Sequence, residues 1–258
     1  MNPTAPLPRW VDGRNWTCVD FVSDLHLHAE EPATWRAFQH HLQQTPAQAL
    51  FILGDLFEVW VGDDVLQTPA AFFERECVQA LAQASQRLPL YWIPGNRDFL
   101  TGPAFLQATG MLALEDPCTL VLKDETCLLS HGDAMCLQDR EYQHFRALVR
   151  SRAWQTDFLK QPLSGRLAQA QAMRAESRAH QASQMVWADV DTEAAGAALI
   201  RAGASRLIHG HTHRPADHVL APGLMRTVLS DWCATASPPR TQVLRWQRGW
   251  QRLNAETT

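Results

Sequence analysis

Apolar and polar positions along the chain follow two rhythms. Short apolar runs at 17–22, 50–53, 88–93, 118–122, 126–130 and 205–208 each end in glycine or in a polar donor. Runs of that length, closed by turn residues, read as buried strands. Between them lie stretches with an apolar residue every three or four positions. Trp35, Phe38 and Leu42 share a face over 34–43, Phe73, Cys77 and Leu81 share one over 70–87, and 192–202 repeats the pattern. These stretches read as helices. Lys123-Asp124-Glu125 fits a tight hairpin turn. Short strands are also predicted around 218–220, 225–229 and 242–246. Residues 1–16 contain three prolines and read as an irregular leader. Strand–helix alternation followed by hairpins predicts an α/β fold of two packed sheets with helices outside, as one domain over 17–258. The helix-rich segment 137–187 interrupts that order and reads as a helical lid inserted between two strands.

The strand ends carry the chemistry. The run Leu50-Phe51-Ile52-Leu53 closes with Gly54-Asp55, which leaves a carboxylate at the edge where α/β sheets place ligands. Asp24 and His26 follow the first strand, Asn96 the third, His131 the fifth, and His211 and His213 the sixth. Each has an ordinary reading alone: a helix cap for Asp24 or Asp55, a turn residue for Asn96, a satisfied buried histidine for His131. Five strand ends that each deliver a metal-type donor are hard to assign to packing. Oxygen and nitrogen donors without cysteine suit Mn²⁺, Fe²⁺ or Zn²⁺ in a reactive site better than a structural zinc. Seven donors exceed what one ion with an open position needs, so they suit two ions bridged by a carboxylate, with Asp55 the natural bridge. Two such ions can hold hydroxide and clamp a phosphoryl group for in-line attack. His209 and His28 fall outside this pattern and read as structural.

Composition narrows the partners. The net charge of -4 argues against general nucleic-acid binding, yet 137–187 holds eight basic residues against four acidic ones. A basic segment on an acidic body points to an anionic substrate or surface. The six cysteines form no C-x-x-C pair or disulfide framework and read as reduced thiols. No run of about 18 apolar residues exists to span a membrane, and residues 1–15 lack the apolar core of a signal peptide.

Taken together, D-x-H at 24–26, G-D at 54–55, G-N-x-D at 95–98, H-G-D at 131–133 and G-H-T-H at 210–213 resemble the calcineurin-like metallophosphoesterase superfamily over residues 17–232. The resemblance implies a two-sheet αββα sandwich. It implies Asp24, His26, Asp55 and His213 on one metal, and Asp55, Asn96, His131 and His211 on the other. The longer runs 23–27, 30–32, 54–64, 95–100 and 209–215 closely resemble one of its families, the UDP-2,3-diacylglucosamine pyrophosphohydrolases of lipid A biosynthesis. That resemblance implies hydrolysis of UDP-2,3-diacylglucosamine to UMP and 2,3-diacylglucosamine 1-phosphate (lipid X), with two Mn²⁺ ahead of Fe²⁺ or Zn²⁺. It implies catalytic roles for Asp55, Asn96, Arg97 and His131, and substrate contacts from Asn96, Arg97, Asp139, Ser177 and His211. Two further contacts, asparagine and lysine in the family, fall near Gln181 and Gln184, so one charge is lost there. The expected location is the anionic cytoplasmic face of the inner membrane, held peripherally by the lid, with no protein partner implied.

Arg97 stands where the wider superfamily commonly has a histidine proton donor. Arginine stays protonated and cannot act as a general acid near neutral pH. A phosphate leaving group needs little protonation and gains from fixed positive charge, so Arg97 favours a pyrophosphate over an alkyl monoester. In the lid, Tyr142, Phe145 and Val149 share a helical face, and Trp154, Phe158, Leu159 and Leu163 follow. Arg146, Arg150, Arg152, Lys160, Arg166, Arg174 and Arg178 supply positive charge. An acyl pocket under a basic rim and an ordinary amphipathic helix pair both fit this pattern. A soluble nucleotide or nucleotide-sugar pyrophosphatase is the alternative enzyme, and a non-catalytic scaffold of the same fold is the alternative of another class.

Overall fold

Strand β3 (Ala49–Leu53) is buried at all five positions, and its alternate side chains bind the layers of the molecule together. The computed structural model describes residues 7–183 and 189–255, with backbone alone over 175–183. One mixed sheet joins β2 (Val19–Val22), β3, β4 (Leu90–Ile93), β5 (Leu112–Ala113), β11 (Gln242–Trp246) and β12 (Trp250–Asn254) in the order β12-β11-β2-β3-β4-β5. The other joins β1 (Trp10–Asp12), β6 (Cys118–Val121), β7 (Thr126–Leu129), β8 (Arg206–His209), β9 (Ala216–Ala221) and β10 (Leu224–Val228) in the order β1-β6-β7-β8-β10-β9.

Leu50 and Ile52 of β3 pack with Trp35 and Phe38 of α1 (Pro32–Gln44) and Leu81 of α2 (Phe72–Ser85). Ala49, Phe51 and Leu53 point the other way, onto Leu120, Leu129 and Ile208 of the second sheet. The outer face of that sheet packs Leu128 and Leu207 on Ala195 and Leu199 of α7 (Thr192–Ala202). The period-2 alternation of a strand buried on both sides thus yields the expected four layers, helix–sheet–sheet–helix. A short helix, α3 (Pro103–Thr109), follows β4, and α4 (Arg140–Val149), α5 (Arg152–Leu159) and α6 (Leu163–Ser183) fill the segment read as a lid.

Several sequence expectations shift. The leader is not irregular throughout, because Trp10–Asp12 forms β1 and pairs in parallel with β6. Only Val11 of the three is buried, so the strand was too short and too exposed for its alternation to register. The strand expected over 17–22 begins at Val19, because the Thr17 and Cys18 amides donate to the side-chain oxygen of Gln48 instead of a neighbouring strand. Edge strand β12 carries no apolar run and was not foreseen. Among the described residues no helix is long and apolar enough to cross a membrane, and all six cysteines are free.

One polar group lies in the core of the first sheet. Asp20 on β2 is fully buried and accepts two hydrogen bonds from Arg245 of β11, at 2.7 and 2.8 Å, and one from Thr45. His41 of α1 lies 3.2 Å away. Burial alone would raise the Asp20 carboxyl, but Arg245, His41 and Thr45 bring it down to about 2. Because the folded value is depressed, its contribution to stability is present above the ordinary carboxyl range and is lost as pH falls through about 2. Arg245→Met, which leaves that buried carboxylate without its guanidinium partner, is expected to destabilise the protein by roughly 3–5 kcal/mol. Urea unfolding at neutral pH measures this, and the gap to Asp20→Asn should narrow between pH 4 and 2. A gap independent of pH would remove Asp20 from the acid response.

Candidate metal centre and lid

Five strand exits meet at one end of the two sheets. Those of β2, β3 and β4 come from one sheet and those of β7 and β8 from the other, so the site straddles both. Backbone bonds tie the exits together. The Asp24 amide donates to the Gly54 carbonyl at 3.0 Å, His26 to Asp55 at 3.0 Å, and Gly210 to His131 at 3.0 Å. The β2–β3 pairing therefore continues past the strands into the loops that hold the donors.

The loops turn by adopting left-handed backbone at the donors themselves. Six non-glycine residues among those described have positive φ, and five of them are Asp24 (52°), His26 (47°), Asp55 (52°), His211 (67°) and His213 (52°). That conformation costs a residue with a Cβ about 1–2 kcal/mol, and such strain concentrates at functional sites. Close approach does the rest. A Cβ on Gly54 would overlap the His131 ring, one on Gly95 the Asp55 carboxylate, and one on Gly210 the Asp24 carboxylate.

The structure brings all seven sequence-predicted donors together. Asp24 is buried; its Oδ2 accepts the His211 amide at 2.9 Å and its Oδ1 lies 3.3 Å from His213 Nε2. His26 Nε2 and His213 Nε2 face each other at 3.3 Å. Asn96 Oδ1 lies 2.9 Å from His131 Nε2 and 3.0 Å from His211 Nδ1, and Asp55 Oδ1 lies 3.8 Å from His131 Nε2. Among the described carboxylates, imidazoles and thiols, two groups have ligand atoms close enough for an ion: Asp24, His26 and His213, and Asp24, Asp55 and His131. Asp24 is common to both, and Asp55, expected as the bridge, belongs to the second.

The hydrogen bonds fix what these groups offer. His131 Nδ1–H donates to the Leu53 carbonyl at 2.9 Å, so it is Nε2 that faces Asn96 Oδ1, as a donor while the ring is protonated and as a bare nitrogen where an ion would take the proton's place. Asp24 Oδ1 is buried with no hydrogen-bond donor among the described residues. Acceptors gathered face to face at such distances fit cations between them, and the residues suit a dinuclear centre of hard or borderline ions. The titrations agree with a site built for positive charge. Burial would lower His131, but Asp55, Asp24 and Asp133 raise it to about 9. Burial, helped by the neighbouring His131, depresses His211 to about 4. Burial would raise Asp24, but His213, His131 and His26 hold it well below the usual carboxylate range.

Two carboxylates that sequence reading did not single out hold this array. Asp98 is fully buried and accepts the amides of Gly95 at 2.8 Å and Leu56 at 2.7 Å, clamping the β4 exit to the β3 exit. Asp133 is equally buried and accepts the Tyr142 hydroxyl and Arg146 Nε, both at 2.8 Å, so it fastens α4 to the His131 loop. Both lie inside the quoted motifs, and their spacing from Asn96 and His131 was the available signal. Arg150, at the end of α4, donates to the Gly95 carbonyl at 2.8 Å and lies over the Phe99 ring at 4.9 Å.

Under the lid lies a cavity open to solvent. Its lining joins Asn96, Arg97, Tyr142 and Arg146 to the apolar side chains of Trp60, Phe99, Val149, Trp154 and Phe158. The Arg97 amide donates to Asp55 Oδ1 at 2.8 Å, while its buried Nε has no acceptor among the described residues. The expected face of Tyr142, Phe145 and Val149 does line the cavity. Arg166 departs from expectation: it is buried, not part of a basic rim, and binds the Val61 carbonyl and Asp64, which pins α6 to the loop after β3. Leu159 faces solvent. Asp139 caps α4 by accepting the Tyr142 amide at 2.9 Å. The side chains of Ser177, Arg178 and Gln181 and the whole of Gln184 lie outside the described residues. His209 is fully buried with its Nδ1 2.8 Å from the Gly210 carbonyl, a structural role, and His28 lies 3.7 Å from Glu31.

The sequence profile of the calcineurin-like phosphoesterase family matches residues 19–215. The UDP-2,3-diacylglucosamine hydrolase of Xanthomonas campestris pv. campestris is 44% identical over 225 residues, covering 82% of this chain and 90% of that protein. The enzyme of the same name from Stenotrophomonas maltophilia is 41% identical over 239 residues, covering 88% and 95%.

Gly210→Ala places a methyl against the Asp24 carboxylate and Ser23. It is expected to weaken divalent-metal binding roughly 10–100-fold while the protein stays folded. Titration with Mn²⁺ beside a thermal melt checks this, and unchanged affinity would show that Asp24 need not stand where it does.

Proposed function

The chain belongs to the calcineurin-like phosphoesterase family, and we propose that it hydrolyses the pyrophosphate bond of UDP-2,3-diacylglucosamine, releasing UMP and lipid X. The observation that carries this reading is the cavity. Its lining joins a donor of the metal centre and Arg97 to a group of apolar side chains, which suits a single substrate with a pyrophosphate and acyl chains. The curated relatives bear the name of that activity at 41% and 44% identity over most of their length.

Two divalent cations, of which Mn²⁺ is the favoured identity, supply charge neutralisation and an activated water when bound. Asp24, His26 and His213, with Asp55, Asn96, His131 and His211, would hold them. The remaining work falls to the chain. Water oxygen adds to the phosphorus nearer the nucleoside, and the bond from that phosphorus to the bridging oxygen breaks. The bridging oxygen departs with lipid X as a phosphate. Arg97 lines the same cavity, and its buried Nε–H has no acceptor among the described residues; a phosphoryl oxygen would satisfy it and place the guanidinium charge where negative charge grows. As a permanent cation it gives no proton, and a departing phosphate needs none. Its own amide holds Asp55 in place. Tyr142 and Arg146 line the cavity as well, and Asp139 and Ser177 are the further substrate contacts in this reading. Trp60, Phe99, Val149, Trp154 and Phe158 exclude water and offer acyl chains an apolar wall.

A soluble nucleotide-sugar pyrophosphatase would use the same donors but gain nothing from that wall. The comparison that separates the two is kcat/KM for UDP-2,3-diacylglucosamine against deacylated UDP-glucosamine. Preference for the acylated substrate by at least about a hundredfold supports this reading, since even a few buried methylenes are worth about 0.8 kcal/mol each. Equal rates would move the function to the soluble enzyme. Arg97→Ala is expected to lower kcat on the acylated substrate roughly 10²–10³-fold with the metal content unchanged; an undiminished rate would take Arg97 out of the reaction.

The substrate is a membrane lipid, and the lid exposes Leu137, Phe145, Leu148 and Leu159 and also carries the exposed basic residues Arg152 and Lys160, the latter paired with Asp157. Apolar side chains among cations favour an anionic lipid surface, so we place the protein peripherally on the cytoplasmic face of the inner membrane. Leu148→Glu should reduce co-sedimentation with phosphatidylglycerol vesicles several-fold without altering the melting temperature. Equal sedimentation of both proteins would move the contact elsewhere.

A further inference from the structure

Glu58 follows the β3 exit and points its two carboxylate oxygens in different directions. Oε2 lies 3.0 Å from His26 Nδ1, on the side of the ring away from His213. Oε1 pairs with the guanidinium of Arg174 on lid helix α6. The side chains of His26, Glu58 and Arg174 are only 17%, 21% and 20% exposed, so solvent screens this chain of contacts little. The two atoms are not aligned for a hydrogen bond, but a negative charge 3.0 Å from Nδ1 favours the tautomer with the proton there. It leaves Nε2 bare toward the centre, at 3.3 Å from His213 Nε2, and it increases the ring's basicity as a ligand.

From this geometry we infer that Glu58 is a positioning residue that couples the metal centre to the lid. One of its oxygens orients the ligand His26, and the other anchors α6 through Arg174. A cation on His26 fixes the ring, the fixed ring holds Glu58, and a held Glu58 gives Arg174 a preorganised partner. Coupling between two sites is reciprocal, so metal binding steadies α6 and an anchored α6 favours metal binding. Glu58 also lines the cavity, next to Trp60 and Arg97, so the coupling runs beside the place where substrate enters. The inference rests on the metal centre proposed above and is independent of which pyrophosphate the enzyme cleaves.

The test is a titration of the full, metal-stripped chain with Mn²⁺, read by electron paramagnetic resonance. Hydrogen exchange of the α6 amides is followed with and without the ion in wild type, Glu58→Gln and Arg174→Gln. Glu58→Gln is expected to weaken Mn²⁺ binding roughly 10–100-fold with its melting temperature in the absence of metal unchanged. Mn²⁺ should slow exchange along α6 several-fold in wild type. In Arg174→Gln the ion should still bind, but α6 should no longer respond. Equal Mn²⁺ affinity in wild type and Glu58→Gln would overturn the positioning role. An undiminished α6 response in Arg174→Gln would overturn the link to the lid. Failure of wild type to bind Mn²⁺, Fe²⁺ or Zn²⁺ would overturn the metal centre itself and this inference with it.

Discussion

The structure depends on left-handed backbone at the exits of its strands. A strand delivers a side chain sideways, and a site that needs seven donors around a small volume requires the chain to double back at once. Asp24, His26, Asp55, His211 and His213 do so with φ between 47° and 67°. At about 1–2 kcal/mol each, their combined strain is comparable with the whole net stability of a domain, roughly 5–15 kcal/mol. Only a core that over-determines the loops can hold such strain. Here that core is β3, buried on both faces, together with the amide–carbonyl bonds that carry the β2–β3 pairing into the loops. Asp98 adds a buried carboxylate that closes the Asn96 loop on the Asp55 loop. Gly54, Gly95 and Gly210 remove the Cβ atoms that would collide with the donors.

Charge makes the same arrangement purposeful. Buried carboxylates and imidazoles of one small site push one another in opposite directions, His131 up to about 9 and His211 down to about 4. A cation satisfies carboxylates and bare ring nitrogens at once, which a single proton on His131 does only in part. The lid is built onto this centre and not merely laid over it. Asp133 holds Tyr142 and Arg146, Arg150 reaches the Gly95 carbonyl, Arg166 is buried against the loop after β3, and Glu58 meets Arg174. The cavity between lid and donors is therefore set by the same loops that set the donors.

Much of this was legible in the residues. The buried strands and α7 announce themselves by periodicity, and the donors announce themselves by sitting at strand ends beside glycine. What stayed hidden has physical reasons. β1 and β12 are short edge strands with few buried side chains, so no alternation marks them. Arg166 looks like one more basic residue of the lid, and only the folded chain shows that α6 turns it inward. Asp20 reads as a break in an apolar strand, because its partners Arg245, His41 and Thr45 come from distant parts of the chain. Glu58 stands in a quoted motif, but its role requires knowing that His26 and α6 approach it from opposite sides.

The strained strand exits gather donors suited to a centre for two divalent ions. The most direct test is the metal stoichiometry of the full-length protein, stripped and then equilibrated with Mn²⁺, measured by native mass spectrometry with Asp55→Ala alongside. Two ions are expected on the wild-type chain and fewer on the variant, with both proteins folded. A wild-type chain that saturates at one ion, or an Asp55→Ala chain that still holds two, would contradict this.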